Sequence, residues 1–378
     1  MLDETIIKDL KELMIDCMHN DVGLLADLRN EIKIIANEVK TIFPRNATSI
    51  SLVGTDGGNN KLEFDPFIVN VIRVVDSSNN EYYMDVITPT TSIDNLNNKI
   101  KNRSHKKFDS LRYMMKFLGV TDLTQLSPMI RLRTKDEPIN SSWVQVYREI
   151  VEWATLFSIV SEKDFATDTV IVFDGQLRSK VFSGELFNKL KQGIEDCVAD
   201  HFTRNRRHLY IVGVAKHSKV LDRYKLAMHL DGIMCLANPC YAEVPRDIEQ
   251  KAYIWSEYAR DENFNGKEVN KFVAGKMFFV KFGNGKYDPI WPIDILTSQV
   301  NEANTIFGYL LADAQSGFPV PFYPLSLQKA HNNAALVGFD MEILQDQVIN
   351  AIKEAVGNEQ SKIDSYLLVD QDPSAKRY

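Results

Sequence analysis

Cysteine is scarce: Cys17, Cys197, Cys235 and Cys240 are the four in 378 residues, and they form no set of closely spaced pairs. That excludes a disulfide framework and gives no four-ligand zinc pattern, so reduced thiols are expected. No apolar run approaches the roughly 20 residues of a membrane helix, and Met1-Leu2-Asp3-Glu4 opens without the basic and apolar segments of a secretory leader. A cytoplasmic protein is expected. Gly-x-x-x-x-Gly-Lys followed by Ser or Thr does not occur, so any dependence on ATP has to come from another protein. An excess of basic charge is missing too. The formal net charge of −7 argues against a surface that grips nucleic acid everywhere and leaves such contacts to local patches. Internal repeats are absent, and the one biased tract is a short asparagine-rich stretch.

The 44% hydrophobic content is enough for a sizeable core in one large or two ordinary domains. Within it, two acidic punctuation marks stand out: Val53-Gly54-Thr55-Asp56-Gly57-Gly58 and Val170-Ile171-Val172-Phe173-Asp174-Gly175. Each sets an aspartate where an apolar run stops and glycine takes over, which is how a carboxylate is placed at the end of a buried strand. An isolated Asp-Gly is an ordinary turn. Here the two copies flank a predicted helix, Ser142–Glu162, that carries Glu149 and Glu152. Carboxylates brought together repel and raise one another's pKa unless a cation neutralises them. Hard oxygen donors suit Mg²⁺ or Mn²⁺, and two such ions about 3.5–4 Å apart can activate water and stabilise a leaving oxygen in phosphodiester hydrolysis.

Periodicity orders the elements. Apolar spacing over 3–43 predicts a long helix or helix pair, fit to serve as an assembly element. Strands are expected over 49–54, 67–75 and 81–87, joined by short connections as an antiparallel meander. A partly helical stretch over 92–119 and a short strand at 129–132 follow, then the helix capped by Ser141 or Ser142. Next come a strand at 169–173, a helix at 184–201, a strand at 209–214 and a helix at 218–229. That is the element order of an α/β domain with a ribonuclease-H-like core, in which the first and fourth strands lie side by side and bring Asp56 and Asp174 together. Strand character recurs at 253–258 and 271–282, and helices are expected over 297–313, from Pro324 onward, and over 341–356. This divides the chain into an N-terminal helical segment (1–45), a central domain (46–340, with insertions at about 92–140 and 233–296) and a C-terminal helix and tail (341–378). Basic patches occur at Lys99, Lys101, Arg103, His105, Lys106 and Lys107, and at Arg204, Arg206, Arg207 and His208.

Five ordered motifs resemble the NurA family of nucleases: Thr55-Asp56-Gly57-Gly58, Arg148-Glu149-Ile150-Val151-Glu152, Phe173-Asp174-Gly175-Gln176-Leu177, Val212-Gly213-Val214-Ala215-Lys216, and the segment from Phe322-Tyr323-Pro324 to His331. The resemblance implies a metal-dependent DNA nuclease favouring manganese. It implies a dimer seated on a hexameric HerA-type ATPase that translocates DNA, at work in end processing or antiviral defence. It also implies that Asp56, one helical glutamate and Asp174 are metal ligands, with Tyr323 and His331 completing the site.

The helical wheel puts Glu149 at the border of the apolar face made by Val146, Tyr147, Ile150, Trp153, Ala154 and Phe157, with Glu152 further round as the alternative ligand. His331 is expected as a metal ligand or as proton donor to the leaving oxygen. Lys216, Arg178 and Lys180 are expected to contact phosphate. Two other readings are a catalytically silent adaptor for an ATPase ring and a ribonuclease on the same fold.

Overall fold

A computed structural model describes residues 3–45, 50–64, 67–102, 104, 106, 109–131, 141–252, 272–337, 339–359 and 361–363. Helix α1 (Glu4–Ala36) leads into the two-residue strand β1 (Lys40–Thr41). The meander follows as β2 (Ile50–Phe64), β3 (Phe67–Asp76) and β4 (Glu81–Ile87). Helices α2 (Ile93–Lys101), α3 (Asp109–Leu118), α4 (Leu123–Leu126) and α5 (Ser142–Glu162) precede β5 (Asp168–Asp174). Then α6 (Leu186–Asn205), β6 (Leu209–Val214) and α7 (Lys219–Leu230) alternate. The chain continues through β7 (Cys240–Glu243), α8 (Arg246–Ala252), β8 (Gly275–Lys281), β9 (Ile290–Leu296), α9 (Ala303–Gln315), α10 (Leu325–Ala334) and α11 (Phe339–Val356).

Among the described residues the strands join in one mixed sheet, in the order β1-β7-β8-β9-β6-β5-β2-β3-β4, and the architecture is α/β. β5 pairs in parallel with both β2 and β6. A parallel strand in mid-sheet is covered on both faces, which is why β5 and β6 read as unbroken apolar runs. Ile171 and Phe173 face one layer, with Trp153 and Phe157 of α5 and Phe187 and Leu190 of α6. Val170 and Val172 face the other, with Phe307 and Leu310 of α9 and Leu327 of α10. Each such side chain stabilises the fold by roughly 1.5–3 kcal/mol when buried. A third cluster packs Ile32 and Ile35 of α1 against Tyr224 and Met228 of α7 and against Met277 and Phe279 of β8. The earlier turns of α1 leave Leu13, Met14 and Met18 at least 60% exposed.

Several expectations are corrected. Asp56 does not end a strand: β2 runs on through Asp56-Gly57-Gly58 to Phe64, because β3 supplies a hydrogen-bonded partner along that length. Residues 129–131 are not in a strand; Leu132 lies outside the described residues. The expected strand at 253–258 also lies outside them, as do Arg103, His105, Lys107 and the tail after 363. Of the two forms expected over 3–43, α1 is the single long helix, and the stretch 233–296 supplies β7, β8 and β9 to the same sheet.

Candidate carboxylate site

The parallel register of β2 on β5 ends at Thr55 opposite Phe173. Asp56 and Asp174 are the next residues on these neighbouring strands, so their backbones stand side by side where β5 stops. Asp56 then continues into the antiparallel ladder, opposite Val75. Its side chain lies outside the described residues.

Asp174 is held from two sides. Its Oδ1 accepts from the Tyr323 hydroxyl at 3.1 Å, and its Oδ2 accepts from Lys216 Nζ at 3.3 Å. Tyr323 is fully buried, edge-on to Trp291 with ring centroids 4.9 Å apart, and its hydroxyl lies 3.4 Å from the Val214 carbonyl. Lys216 is exposed, so its pairing with Asp174 is worth only about 0–1 kcal/mol. The turn carrying Tyr323 is clamped by the buried Gln328, whose Nε2 donates to the carbonyls of Tyr323 (2.9 Å) and Val320 (3.0 Å). Phe322, just before it, adopts φ 57°, a conformation unusual for a bulky side chain and common where structure is tensioned at a site.

After Asp174 the chain turns at Gly175, whose φ of 120° suits glycine and whose N–H donates to the Val214 carbonyl at 2.9 Å. Gly213 on β6 permits this turn, since a Cβ there would lie 2.5 Å from the Gly175 carbonyl. The segment is then anchored by a buried ion network. Arg178 donates through Nε and Nη2 to the two oxygens of Asp294 at 3.0 and 2.9 Å, and through Nη1 to Glu249. The Leu177 N–H also donates to Asp294, at 3.0 Å, and Arg246 donates to Glu249 at 2.6 Å. Arg178 is 8% exposed, and its guanidinium is turned inward between two buried carboxylates, with Arg246 sharing one of them. Lys180, two residues on, is exposed.

Ser179 links this turn to α5. Its hydroxyl donates to Glu149 Oε1 at 2.5 Å, and its N–H is held by the Phe272 carbonyl. Burial pushes the Glu149 carboxyl above the ordinary carboxylate range, against the Ser179 hydrogen bond and the charges of Arg148 and Lys180. Glu152 instead pairs with Arg148 at 3.3 Å. Glu149 is thus tied, through Ser179, to the turn that follows Asp174.

Helix α10 connects the remaining pieces. It starts just after Tyr323, beside Asp174, and packs on β5, β2 and β3. At its far end Asn60 of β2 donates to the Ala334 carbonyl at 3.3 Å and accepts from the Leu336 N–H at 2.8 Å, while Asn333 donates to the Asp76 carbonyl at 3.1 Å. Asp76 is the register partner of Thr55, so α10 spans the level of Asp56. His331 is exposed on this stretch of the helix.

Among the described residues no three His, Cys, Asp or Glu side chains converge closely enough to hold a metal. The donor chemistry still fits a hard divalent cation: Asp174 and Glu149 offer carboxylate oxygens, and a cation beside a desolvated glutamate restores its ionised form. No thiol lies in the set. Ser179, Asp294 and Glu249 join the site through contacts distant in sequence, and Gln328 through the turn it clamps. Only Asp294 carries a local signal, an acid inside the apolar run Pro292-Ile293-Asp294-Ile295-Leu296.

No family model matches the chain, and no curated protein matches it. Among solved structures it is similar to the NurA nuclease from Sulfolobus solfataricus, at 14% identity over 94% of this chain and 98% of that one, with a TM-score of 0.45. It is also similar to a structure of NurA bound to dAMP and manganese, at 9% identity over 93% and 98% of the two chains, with a TM-score of 0.40. A third, NurA with manganese, is 11% identical over 89% and 98%, with a TM-score of 0.39. No described helix is long and apolar enough to cross a membrane.

Proposed function

We propose that this chain is a metal-dependent deoxyribonuclease whose site is assembled from Asp56, Glu149 and Asp174. One observation carries the reading: the parallel register that leaves Asp56 and Asp174 adjacent at the point where β5 ends. The run β4-β3-β2-β5-β6 within the sheet supports a ribonuclease-H-like core, and the five ordered motifs supply the resemblance to NurA nucleases.

In this reading Asp56, Glu149 and Asp174 would hold two manganese or magnesium ions, leaving His331 as the proton donor. Glu152 is the alternative to Glu149, disfavoured by its pairing with Arg148. A metal held there would supply Lewis acidity toward a phosphoryl oxygen and a water acidic enough to be a nucleophile at neutral pH. The protein's own residues do the rest. Tyr323 fixes the Asp174 carboxylate in one rotamer. Lys216 rests on Asp174 and its exposed ammonium turns to the phosphate when DNA enters; Lys180 brings a second charge on the Glu149 side. His331 gives its proton to the leaving 3′ oxygen.

The negative net charge limits unaided affinity for DNA. A HerA-like hexameric translocase therefore delivers the strand to a homodimer of this chain, and the exposed apolar flank of α1 offers docking area. The test is digestion of labelled single-stranded DNA, duplex DNA and RNA with Mn²⁺. DNA should be cut, with a strong increase from the cognate translocase, and Asp56→Asn should abolish cutting while keeping its thermal transition. Undiminished cleavage by Asp56→Asn refutes the site, RNA-only cleavage favours the ribonuclease reading, and no cleavage with no metal-induced stabilisation favours the adaptor.

A further inference from the structure

The second basic run in the sequence lies far from the carboxylates. β6 ends at Val214 beside Asp174 and begins at Leu209, a six-residue strand whose start is roughly 17 Å away. Arg204, Arg206, Arg207 and His208 occupy that opposite edge. Arg206 caps α6 in the left-handed conformation, φ 52°, and the exposed chain then turns toward β6.

At this edge aromatic rings form a continuous line. Phe202 lies 4.8 Å from His208, which stacks on Tyr210 at 5.6 Å with planes only 6° apart, and Tyr210 is 6.4 Å from Tyr309. A guanidinium closes each end: Arg206 sits 5.5 Å over the Phe202 ring and Arg45 sits 5.9 Å over Tyr309. Phe202 is 41% exposed and His208 and Tyr309 are half-buried, while Tyr210, at 4%, anchors the line to the core. The nearby carboxylates are engaged: Asp200 pairs with Arg204 at 2.7 Å, Glu302 accepts from the Tyr210 hydroxyl at 2.7 Å, and Asp168 accepts from the His208 N–H at 2.8 Å.

We infer that this edge is a second nucleic-acid contact, a docking strip for single-stranded DNA separate from the cleavage site. The exposed Phe202 ring beside Arg204, Arg206 and Arg207 matches a single strand, whose bases stack on an aromatic face while its phosphates meet arginine. A purely acidic protein partner would use the arginines and leave the rings without a role. The strip does not depend on the cleavage reading, because binding can be read with no metal present.

The experiment is fluorescence anisotropy of a labelled oligodeoxythymidine of about 20 nucleotides with the full chain in EDTA, over a salt series. Arg204→Glu/Arg207→Glu should weaken binding at least about tenfold and make the salt dependence shallower by about 1.4, two single-strand phosphate contacts. Phe202→Ala should weaken binding about fivefold or more with the salt slope unchanged. Both sets lie on exposed surface, and an unchanged thermal transition verifies folding. Wild-type affinity in both variants, no measurable binding by the wild type, or equal competition by polyglutamate of matched charge overturns the inference.

Discussion

Tyr323 reaches Asp174 from 149 positions along the chain, its buried hydroxyl donating to one carboxylate oxygen at 3.1 Å while Lys216 holds the other at 3.3 Å. Both oxygens of Asp174 are thus met by residues from outside its own strand. Tyr323→Phe removes the donor and leaves the ring. It should cost about 1 kcal/mol of stability and lower kcat about tenfold with KM little changed. Steady-state cleavage kinetics and a thermal melt check this; unchanged kcat means that Asp174 is oriented by something else.

Arg178→Met removes the cation between Asp294 and Glu249 and leaves two buried carboxylates opposed, among the described residues, by Arg246. The expected loss is about 3–5 kcal/mol by urea denaturation. If Arg178 met phosphate at the surface, the same substitution would weaken DNA binding and leave the unfolding curve in place.

These two residues show what the sequence could and could not reveal. Asp174 and the strand before it are local: β-branched residues, an acid and a glycine at one strand end, readable without the fold. The fate of Arg178 depends on Glu249 and Asp294, 71 and 116 positions away, and a basic residue near an acid reads the same whether it faces solvent or core. Helix α5 matches its expected bounds because its apolar spacing is long and regular. β2 outruns its local signal: Asp-Gly-Gly punctuates the chain, and pairing with β3 overrides that preference. β7 has only four residues and β9 carries Pro292, so neither has a clear periodic signal.

Glu149 gives a pH prediction. Its ordinary pKa is 4.5, and burial raises it in the folded protein. Between those two values the folded state holds a proton that the unfolded state has lost, so stability declines as pH rises through the window, and the full penalty remains above it. Glu149→Gln carries no such charge. In EDTA at neutral pH it should melt higher than the wild type, with the difference vanishing below about pH 4, where both forms are uncharged. Mn²⁺ should raise the melting temperature of the wild type and not of the variant. A variant that melts at or below the wild type in EDTA at neutral pH contradicts the assignment of Glu149 as a strained, metal-ready carboxylate.

The most direct test is anomalous diffraction at the manganese edge from crystals of the full chain grown with Mn²⁺. Anomalous density is expected between the carboxylates of Asp56 and Asp174, within ligand distance of both, and should be lost in Asp174→Asn. Clear density for both side chains with no manganese between them, or carboxylates directed to opposite faces of the sheet, would contradict it.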